Sequence, residues 1–318
     1  MSTMTNQRSK TVLAAIALLL IVGCSVQAVK PATEAAAVEA VPTPAPVVIK
    51  PIDFCAPEQG APFSYRKKVA ILAADLRNPL DARDLPGLDI TWSQLLQQRL
   101  NESGRLLAVD ASDQHLHIGA RQQEWIISLA NRLDVQFVIA VRFHSLHTIR
   151  KQFGVGELSI PLPWMKRQIE AELIIFDGYY GTQIATVTHS ALAEGDEKEL
   201  VNPVNQPVLR GAFLDTPLGE SMNTVLSSEV DDGLKKLACL PLMARVIKVM
   251  GDNVYISTRG ASLIHPGDTL QLFRASGQIE SRLGPIEIIK VYPESAVGVY
   301  KGEGSAPSFS ERLRVRAW

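Results

Sequence analysis

The sequence predicts a mixed α/β (α+β) layered region followed by a small all-β barrel. In the first region, short apolar runs alternate with segments whose apolar residues recur at helical spacing, in the order β-α-β-α-β-β-β-α. Residues 240–318 instead contain short alternating segments separated by Gly and Pro turns, with no helical pattern. A chain of 318 residues that is 46% apolar is long enough for two such domains.

The strands of the α/β region are predicted from short apolar runs. Runs such as KVAILAA and QFVIAVRF are apolar at both parities, which suits strands buried on both faces. The last two runs flank the turn-rich segment DGYYGT, whose Asp and Gly residues favour a hairpin. The predicted strands cover residues 68–74, 105–109, 136–143, 168–176 and 183–192.

Three segments have apolar residues at the spacing of an amphipathic helix. In the first, Trp92 and Leu96 share one face. Asp89 or Thr91 is its expected N-cap, and Gly104 is its expected stop. The other two helices are predicted near residues 125–133 and 222–237.

Two proline-containing stretches, 148–164 and 195–217, are predicted to be irregular loops. Trp164 stands at the end of the first, close behind Pro161 and Pro163. A large aromatic ring in such a loop is a candidate contact surface for a partner, and local packing of the ring is the alternative.

The C-terminal region is predicted to form six short strands. A Gly-Asp turn divides the first two, and a Pro-Gly-Asp turn leads into the third. In that third strand Leu270 and Leu272 share one face and Phe273 lies on the other. The predicted strands cover residues 244–249, 253–257, 269–274, 285–292, 295–301 and 313–315.

The N-terminus is predicted to direct export. A basic stretch precedes an apolar run at 11–22, which is too short for the roughly 20 residues of a membrane-spanning helix. The run ends at Cys24 in a pattern that resembles the lipobox of bacterial lipoproteins. We therefore expect residues 1–23 to be a signal peptide, Cys24 to carry a lipid and, because Ser25 follows, the mature protein to reside at the outer membrane, facing the periplasm.

Two further expectations concern this end of the chain. The alternative to lipidation is cleavage after Ala28 by ordinary signal peptidase, which would release a soluble protein beginning at Val29. In the lipidated form, the Pro/Ala-rich residues 24–52 form a tether, the α/β domain spans 53–238 and the barrel spans 240–318.

Composition and motifs exclude several functional classes. With 32 Lys and Arg against 33 Asp and Glu, and only 6% aromatic residues, the chain has no electrostatic or stacking basis for binding nucleic acid. Dinucleotide-binding, Walker A, HExxH and GxSxG motifs are absent, so we expect no enzyme activity and no cofactor. Glu170 and Glu172 share one face of a strand and are expected to be solvated rather than catalytic.

Histidines and cysteines give two further expectations. The pairs His115/His117 and His144/His147 would each need further ligands for a metal site. Asp110 and Asp113 are the only sequence-local candidates, for the first pair, so no metal is expected. In the oxidising periplasm, Cys55 and Cys239 are expected to pair, because they stand just before the first strand and just after the last helix of the α/β domain. The alternative is that both are buried free thiols.

Three features of the C-terminal region carry a family resemblance: the GDNVYIS hairpin, the Pro-Gly-Asp turn before TLQLFR and the late IIKVYPESA strand. Together they resemble the C-terminal domain of the flagellar assembly protein T family. Residues 69–194, with Asp177 and Gly181 in the hairpin turn, resemble that family's middle domain, which is related to TolB N-terminal and CsgG-type folds.

The resemblance implies a non-enzymatic part of the flagellar basal body that acts in ring assembly and motility. Its implied partners are flagellar ring and stator-associated proteins, in a ring-type oligomeric assembly. The alternative is a TolB-like or CsgG-like envelope lipoprotein that serves as a binding module of a secretion or export complex.

Overall fold

The computed structural model describes residues 65–153, 160–202, 207–238, 240–258, 264–276, 279–310 and 312–317. The predicted signal peptide, lipidation site Cys24, tether, Cys55 and Cys239 lie outside these residues. The described residues form one compact unit, in which the α/β region and the barrel have separate apolar cores. The predicted mixed α/β region followed by a barrel is confirmed.

A seven-stranded mixed sheet organises the α/β region. Its strand order is β3-β1-β4-β6-β5, with β2 paired to β4 and β7 paired to β6. Strands β1, β3 and β4 run parallel, whereas β6 is antiparallel to β4, β5 and β7. The strands are β1 (Lys67–Leu72), β2 (Asp75–Leu76), β3 (Leu106–Ala111), β4 (Phe137–Ser145), β5 (Thr148–Phe153), β6 (Ile160–Asp177) and β7 (Gln183–Gly195).

Helices pack on both faces of this sheet. Helices α1 (Leu88–Glu102) and α4 (Pro217–Ala238) cover one face and enclose the larger core. Helix α2 (Gln122–Leu133) covers part of the other face and encloses a smaller core. The three predicted helices are therefore present at the expected positions.

The expected cap of α1 is wrong. Gly87 occupies the N-cap position with φ of 69°, and Asp89 and Thr91 lie inside the first turn. Glycine adopts this left-handed backbone conformation at little steric cost, and the conformation lets the chain turn sharply from the preceding loop into the helix. Asp89 still favours the helix start through its charge near the helix N-terminus. The helix ends at Glu102, just before the predicted stop at Gly104.

The predicted loop at 148–164 is also wrong, since it contains β5 and the start of β6. Proline normally argues against a strand, because it cannot donate a ladder hydrogen bond. Here Pro161 and Pro163 precede Met165, the residue at which pairing with β7 begins, and the β5–β6 register shifts across them. This part of β6 has a neighbour on one side only, where proline is tolerated.

The predicted loop at 195–217 contains two short helical segments. Helix α3 (Glu197–Leu200) begins at a capping box, in which the Asp196 side chain accepts from the Glu199 backbone and the Glu199 side chain accepts from the Asp196 backbone. A 3₁₀ turn follows at Gly211–Asp215.

Six antiparallel strands close the barrel in the order β10-β11-β12-β9-β8-β13. Leu270 and Leu272 point into its core, as the alternation predicts, and Phe273 is half-buried on the other side. The strands are β8 (Leu242–Met250), β9 (Asn253–Ser257), β10 (Thr269–Ser276), β11 (Ile279–Val291), β12 (Ser295–Tyr300) and β13 (Leu313–Ala317).

Within the described residues, no helix has both the length and the apolar character needed to cross a membrane.

Candidate interaction surface

One face of the sheet is only partly covered by a helix. Helix α2 packs over Val138 and Ala140 of β4 and over Ile174 of β6. Further along the same side of these strands the residues become polar and part-exposed. We call this region the open face; it comprises Arg142, His144, Glu170 and Glu172 with the exposed Thr186, Thr188 and Ser190 of β7.

Charged side chains on the open face form a connected network. Glu172 Oε2 lies 3.1 Å from His144 Nε2 and 3.6 Å from Arg142 Nη1. Arg142 Nε also donates to Asp75 Oδ2 at 3.0 Å, and Arg77 Nη1 lies 3.4 Å from His144 Nδ1. Glu170 and Glu172 share this polar face, as the sequence predicts, but Glu172 is less solvated than expected because Arg142 and His144 partly cover its carboxylate. The network fixes a pattern of charge on an otherwise flat surface.

An apolar patch lies where the β5–β6 ribbon extends past this network. Trp164 keeps 59% of its surface exposed and Ile149 keeps 44%. Ile149 pairs across the ribbon with Lys166, which is two residues beyond Trp164 and bonded to Glu194. We call Ile149, Trp164 and Lys166 the Trp164 patch. An exposed tryptophan beside a cation is the composition typical of protein contact sites.

Arg167 fastens this ribbon to the body of the region. Its side chain is 1% exposed, and its guanidinium makes a bidentate pair with Asp84 at 2.6 and 2.9 Å. The remaining donors bond the backbone carbonyls of Leu146, Leu200 and Asp81 at 2.7–3.0 Å. One side chain therefore bonds three separate segments of the chain at the base of the ribbon. These contacts fix the position of the strand that carries the Trp164 patch.

A second buried charge-bearing group lies between α1 and α4. Glu229 is fully buried, and its Oε2 accepts from Trp92 Nε1 at 2.8 Å. Burial raises the pKa of Glu229 to about 8, so the carboxyl is mostly protonated at neutral pH. Trp92 itself packs edge-on against Phe143 with 4.8 Å between ring centroids. Trp92 and Leu96, which the spacing places on one face of α1, are both fully buried, and Trp125 is half-buried against the smaller core.

Sequence reasoning missed Arg167 and Glu229, although a signal for each exists. Arg167 has the same parity in β6 as the core residues Ile169 and Ala171. Glu229 lies one helical turn after Val225 on the buried side of α4. A charged residue at a core position of an amphipathic pattern indicates a buried pair, but it does not identify the partner.

The β6–β7 turn, predicted from its Asp and Gly residues, is the contact between sheet and barrel. Tyr179 donates to the Met243 carbonyl at 3.0 Å, and Tyr180 donates to Glu280. Gly181 has φ of 65°, and a Cβ there would run into the Gln123 carbonyl oxygen, so the turn requires glycine.

Gln136 and Asp134 extend this junction. The Gln136 amide donates to the Pro241 carbonyl at 2.8 Å and accepts from the Met243 N–H at 3.0 Å. Asp134 contacts Arg245 and accepts from Ser257 at 2.7 Å. The two regions are therefore joined by specific polar contacts.

The two histidine pairs lie in different parts of the structure and make different contacts. His115 and His117 are exposed before α2, and the His117 ring lies 5.2 Å from that of Trp125. His144 belongs to the open-face network and His147 contacts Ser145. Among the described residues, no three His, Cys, Asp or Glu side chains come together as metal ligands would.

Comparison with known proteins gives one family match. Residues 58–200 match the family described as flagellar assembly protein T, middle domain. No curated protein matches the chain.

Solved structures match about half of the chain at low similarity. They include the hypothetical protein CT253 from Chlamydia trachomatis (18% identity, TM-score 0.35, covering 55% of this chain and 98% of that one). A PelC dodecamer from Paraburkholderia phytofirmans follows at 14% identity and a TM-score of 0.29, covering 54% and 88%. Lipoprotein GNA1162 from Neisseria meningitidis has 10% identity and a TM-score of 0.29, covering 52% and 99%. At these scores the likenesses support no conclusion about this chain.

Proposed function

We propose that this chain, which belongs to the flagellar assembly protein T family through residues 58–200, is a non-enzymatic component of the bacterial flagellar basal body. It acts in ring assembly and motility, as an outer-membrane lipoprotein facing the periplasm. The family match carries the proposal, because it covers the sheet, its ribbon and both proposed contact surfaces.

The open face and the Trp164 patch are the proposed contact surfaces for flagellar ring and stator-associated proteins. The open face presents a fixed charge pattern, which selects partners by complementarity. Trp164 and Ile149 add exposed apolar area beside it, of the kind that supplies most of the binding free energy in protein interfaces.

Deletion of the gene tests the functional proposal directly. We expect few, unstable or paralysed flagella, with swimming restored when the full chain is supplied in trans. Electron microscopy of purified basal bodies measures whether the rings are present. Normal swimming and intact rings in the deletion strain would contradict the proposal and favour the TolB-like or CsgG-like envelope module, whose loss should impair secretion instead.

The Trp164 patch is tested separately from the whole protein. Complementation with Trp164→Ala should give reduced swimming at unchanged protein level, because the contact loses its aromatic anchor. Ile279→Ala is the matched control, since Ile279 is a large apolar residue that is 72% exposed on the barrel. Equal swimming of the two variants would reject Trp164 as a contact residue while leaving the flagellar proposal standing.

Lipidation of Cys24 supplies the proposed membrane anchor. We expect Cys24→Ser to move the protein from the membrane fraction to the soluble periplasm or to block its processing. Mass spectrometry of the mature N-terminus decides between the two cleavage sites, and a chain beginning at Val29 would reject lipidation.

The Cys55–Cys239 disulfide is proposed as a clasp on the α/β region. Lys67 Nζ donates to the Ala238 carbonyl at 2.8 Å, so the start of β1 and the end of α4, the elements that the two cysteines flank, meet in the structure. A bridge closing a loop of this order contributes about 4–5 kcal/mol at most. Peptide mapping without reduction should recover the cross-linked pair, and recovery of two free thiols would reject it.

A further inference from the structure

Strand β7 forms an unprotected edge of the sheet. It pairs along one side with β6, and within the described residues no strand pairs with its other side. Proteins usually protect such an edge with lysine, proline or a bulge, because the unpaired backbone N–H and C=O groups of an edge strand can hydrogen-bond to a strand of another chain. From Gln183 to Ala193 the strand contains no Lys, Arg, Asp, Glu or Pro. An edge left open over this length is suited to pairing with another strand.

The side chains of β7 alternate strictly. Its even-numbered residues from Ile184 to Glu194 are exposed, whereas the odd-numbered ones face α4 and are half-buried or buried. The exposed set contains two large apolar residues, Ile184 at 39% exposure and Leu192 at 48%. Short hydroxyl side chains lie between them at Thr186, Thr188 and Ser190.

Five of these exposed residues, from Ile184 to Leu192, are symmetric about Thr188. Ile184 lies four residues before it and Leu192 four residues after it. If two copies of β7 pair antiparallel with Thr188 at the centre, each Ile184 lies opposite a Leu192, and each Thr186 lies opposite a Ser190. No like charges meet in this register. A slip of one residue would turn the apolar residues to the wrong face, and a slip of two would place Ile184 opposite Ser190 or Glu194 instead of Leu192.

We propose that β7 pairs with β7 of a second copy of this chain, in an antiparallel register centred on Thr188. The pairing joins two seven-stranded sheets into one and makes their open faces continuous. It is a two-fold contact that closes on itself, so a ring of copies would need a second, different surface. The proposal does not depend on the flagellar role, which the deletion strain tests by itself.

A cysteine placed on the two-fold axis tests the register. Directly opposed residues in antiparallel strands have Cα atoms about 4.5–5.5 Å apart, within the range of a disulfide. Full-length Thr188→Cys, oxidised in intact cells with copper phenanthroline, should therefore run as a reducible dimer. Ser190→Cys is the matched control, because it is equally exposed but about 13 Å from its copy in this register.

The parent chain, with its natural cysteines, sets the background in this experiment. A dimer from Thr188→Cys above that background, without one from Ser190→Cys, supports the pairing. No dimer above background from Thr188→Cys, or equal dimer from both variants, overturns it.

A charge exchange tests the same contact without relying on one position. In the Thr188→Cys background, Ile184→Lys or Leu192→Glu alone should lower the dimer yield about tenfold, because each places a charge against an apolar residue twice. Ile184→Lys with Leu192→Glu should restore the yield, since opposite charges then face each other at both ends. A double variant no better than the singles would contradict the proposed register.

Discussion

The α/β region and the barrel close their cores by different means. Among the described residues, the α/β region buries six polar or charged side chains, namely Lys67, Ser93, Gln136, Arg167, Asn202 and Glu229. In the described part of the barrel, Ser257 and Thr258 are the only buried polar side chains, and the core is otherwise aliphatic apart from Tyr300. A closed barrel satisfies its backbone by pairing around the ring, so its interior can be apolar. An open sheet with long connections needs side chains to hold those connections in place.

Burying a polar side chain lowers the stability of the folded state by an amount that depends on how completely that side chain is hydrogen-bonded. The Arg167 guanidinium pairs with the Asp84 carboxylate and donates to backbone carbonyls, so its charge is neutralised and its donors are satisfied. Glu229 Oε2 accepts from Trp92, but within the part of the chain that the structure describes its Oε1 has no hydrogen-bond partner. A bonded group fixes structure at little cost, whereas a half-bonded one lowers stability. Substitutions should therefore have opposite effects at the two positions.

The largest effect is expected for Arg167→Met. It removes the buried guanidinium that bonds the part-buried Asp84 carboxylate and three backbone carbonyls, a loss of about 3–5 kcal/mol in the free energy of unfolding. Urea unfolding followed by tryptophan fluorescence measures it, since Trp92, Trp125 and Trp164 all lie in this region.

Arg142→Met is the control for that measurement. Arg142 also contacts two carboxylates, on Asp75 and Glu172, but it is 21% exposed on the open face. Exposed pairs contribute about 0–1 kcal/mol, so the control should stay close to the parent chain. Equal losses in both variants would show that burial does not set the difference between them.

The next effect is a gain, from Glu229→Gln. Because the pKa of Glu229 is raised from 4.5 to about 8, the folded state holds a proton that the unfolded state releases between these values. The contribution of Glu229 to stability is full below pH 4.5 and is lost as the pH rises toward 8. Glutamine still accepts from Trp92 and does not titrate, so the variant should gain on the order of 3 kcal/mol near pH 8.

Urea unfolding of both proteins at pH 5, 6.5 and 8 measures this gain. The two stability curves should converge at low pH and separate as the pH rises. Parallel curves would mean that the Glu229 carboxyl is ionised in the folded protein as it is in the unfolded chain.

Lys67 should show the opposite slope in a higher pH window. Burial lowers the pKa of its ammonium from 10.5 to about 8, while Nζ donates to the Ala238 carbonyl. The unfolded state then binds more protons between pH 8 and 10.5, so stability should rise with pH there, on the order of 2 kcal/mol. Lys67→Met should flatten this rise in thermal scans at pH 8, 9 and 10. A parent chain with no rise would place the ammonium in contact with water.

The sequence predicts elements whose evidence is local and periodic. Apolar runs and helical spacing located the main strands and helices, and regularly spaced turns located all six barrel strands. The β6–β7 hairpin followed from its Asp and Gly residues. The ribbon at 148–164 was missed because its prolines signal a loop locally, and only the position of its neighbours makes a strand possible.

The candidate surface could be predicted only in part. The sequence identifies Trp164 as a candidate contact residue because it is a large aromatic residue close behind two prolines, and it is exposed in the structure. The Arg167–Asp84 pair joins residues 83 positions apart, so no local pattern identifies it. The same is true of the edge of β7, because its lack of a partner is a property of the sheet order rather than of the strand.

The smallest effect is expected where the two regions meet. Tyr180 of the β6–β7 turn donates to Glu280 of the barrel, and Arg316 donates to the same carboxylate at 2.6 and 2.8 Å. Tyr180→Phe removes one donor, but Glu280 keeps its arginine, so the loss should be about 1 kcal/mol, or about 2–4 °C in the melting temperature. Tyr292→Phe is the control, because that ring is exposed and its contact with Lys290 does not use the hydroxyl. A loss for Tyr180→Phe as large as that for Arg167→Met would mean that the junction, and not the ribbon root, depends most on buried polar contacts.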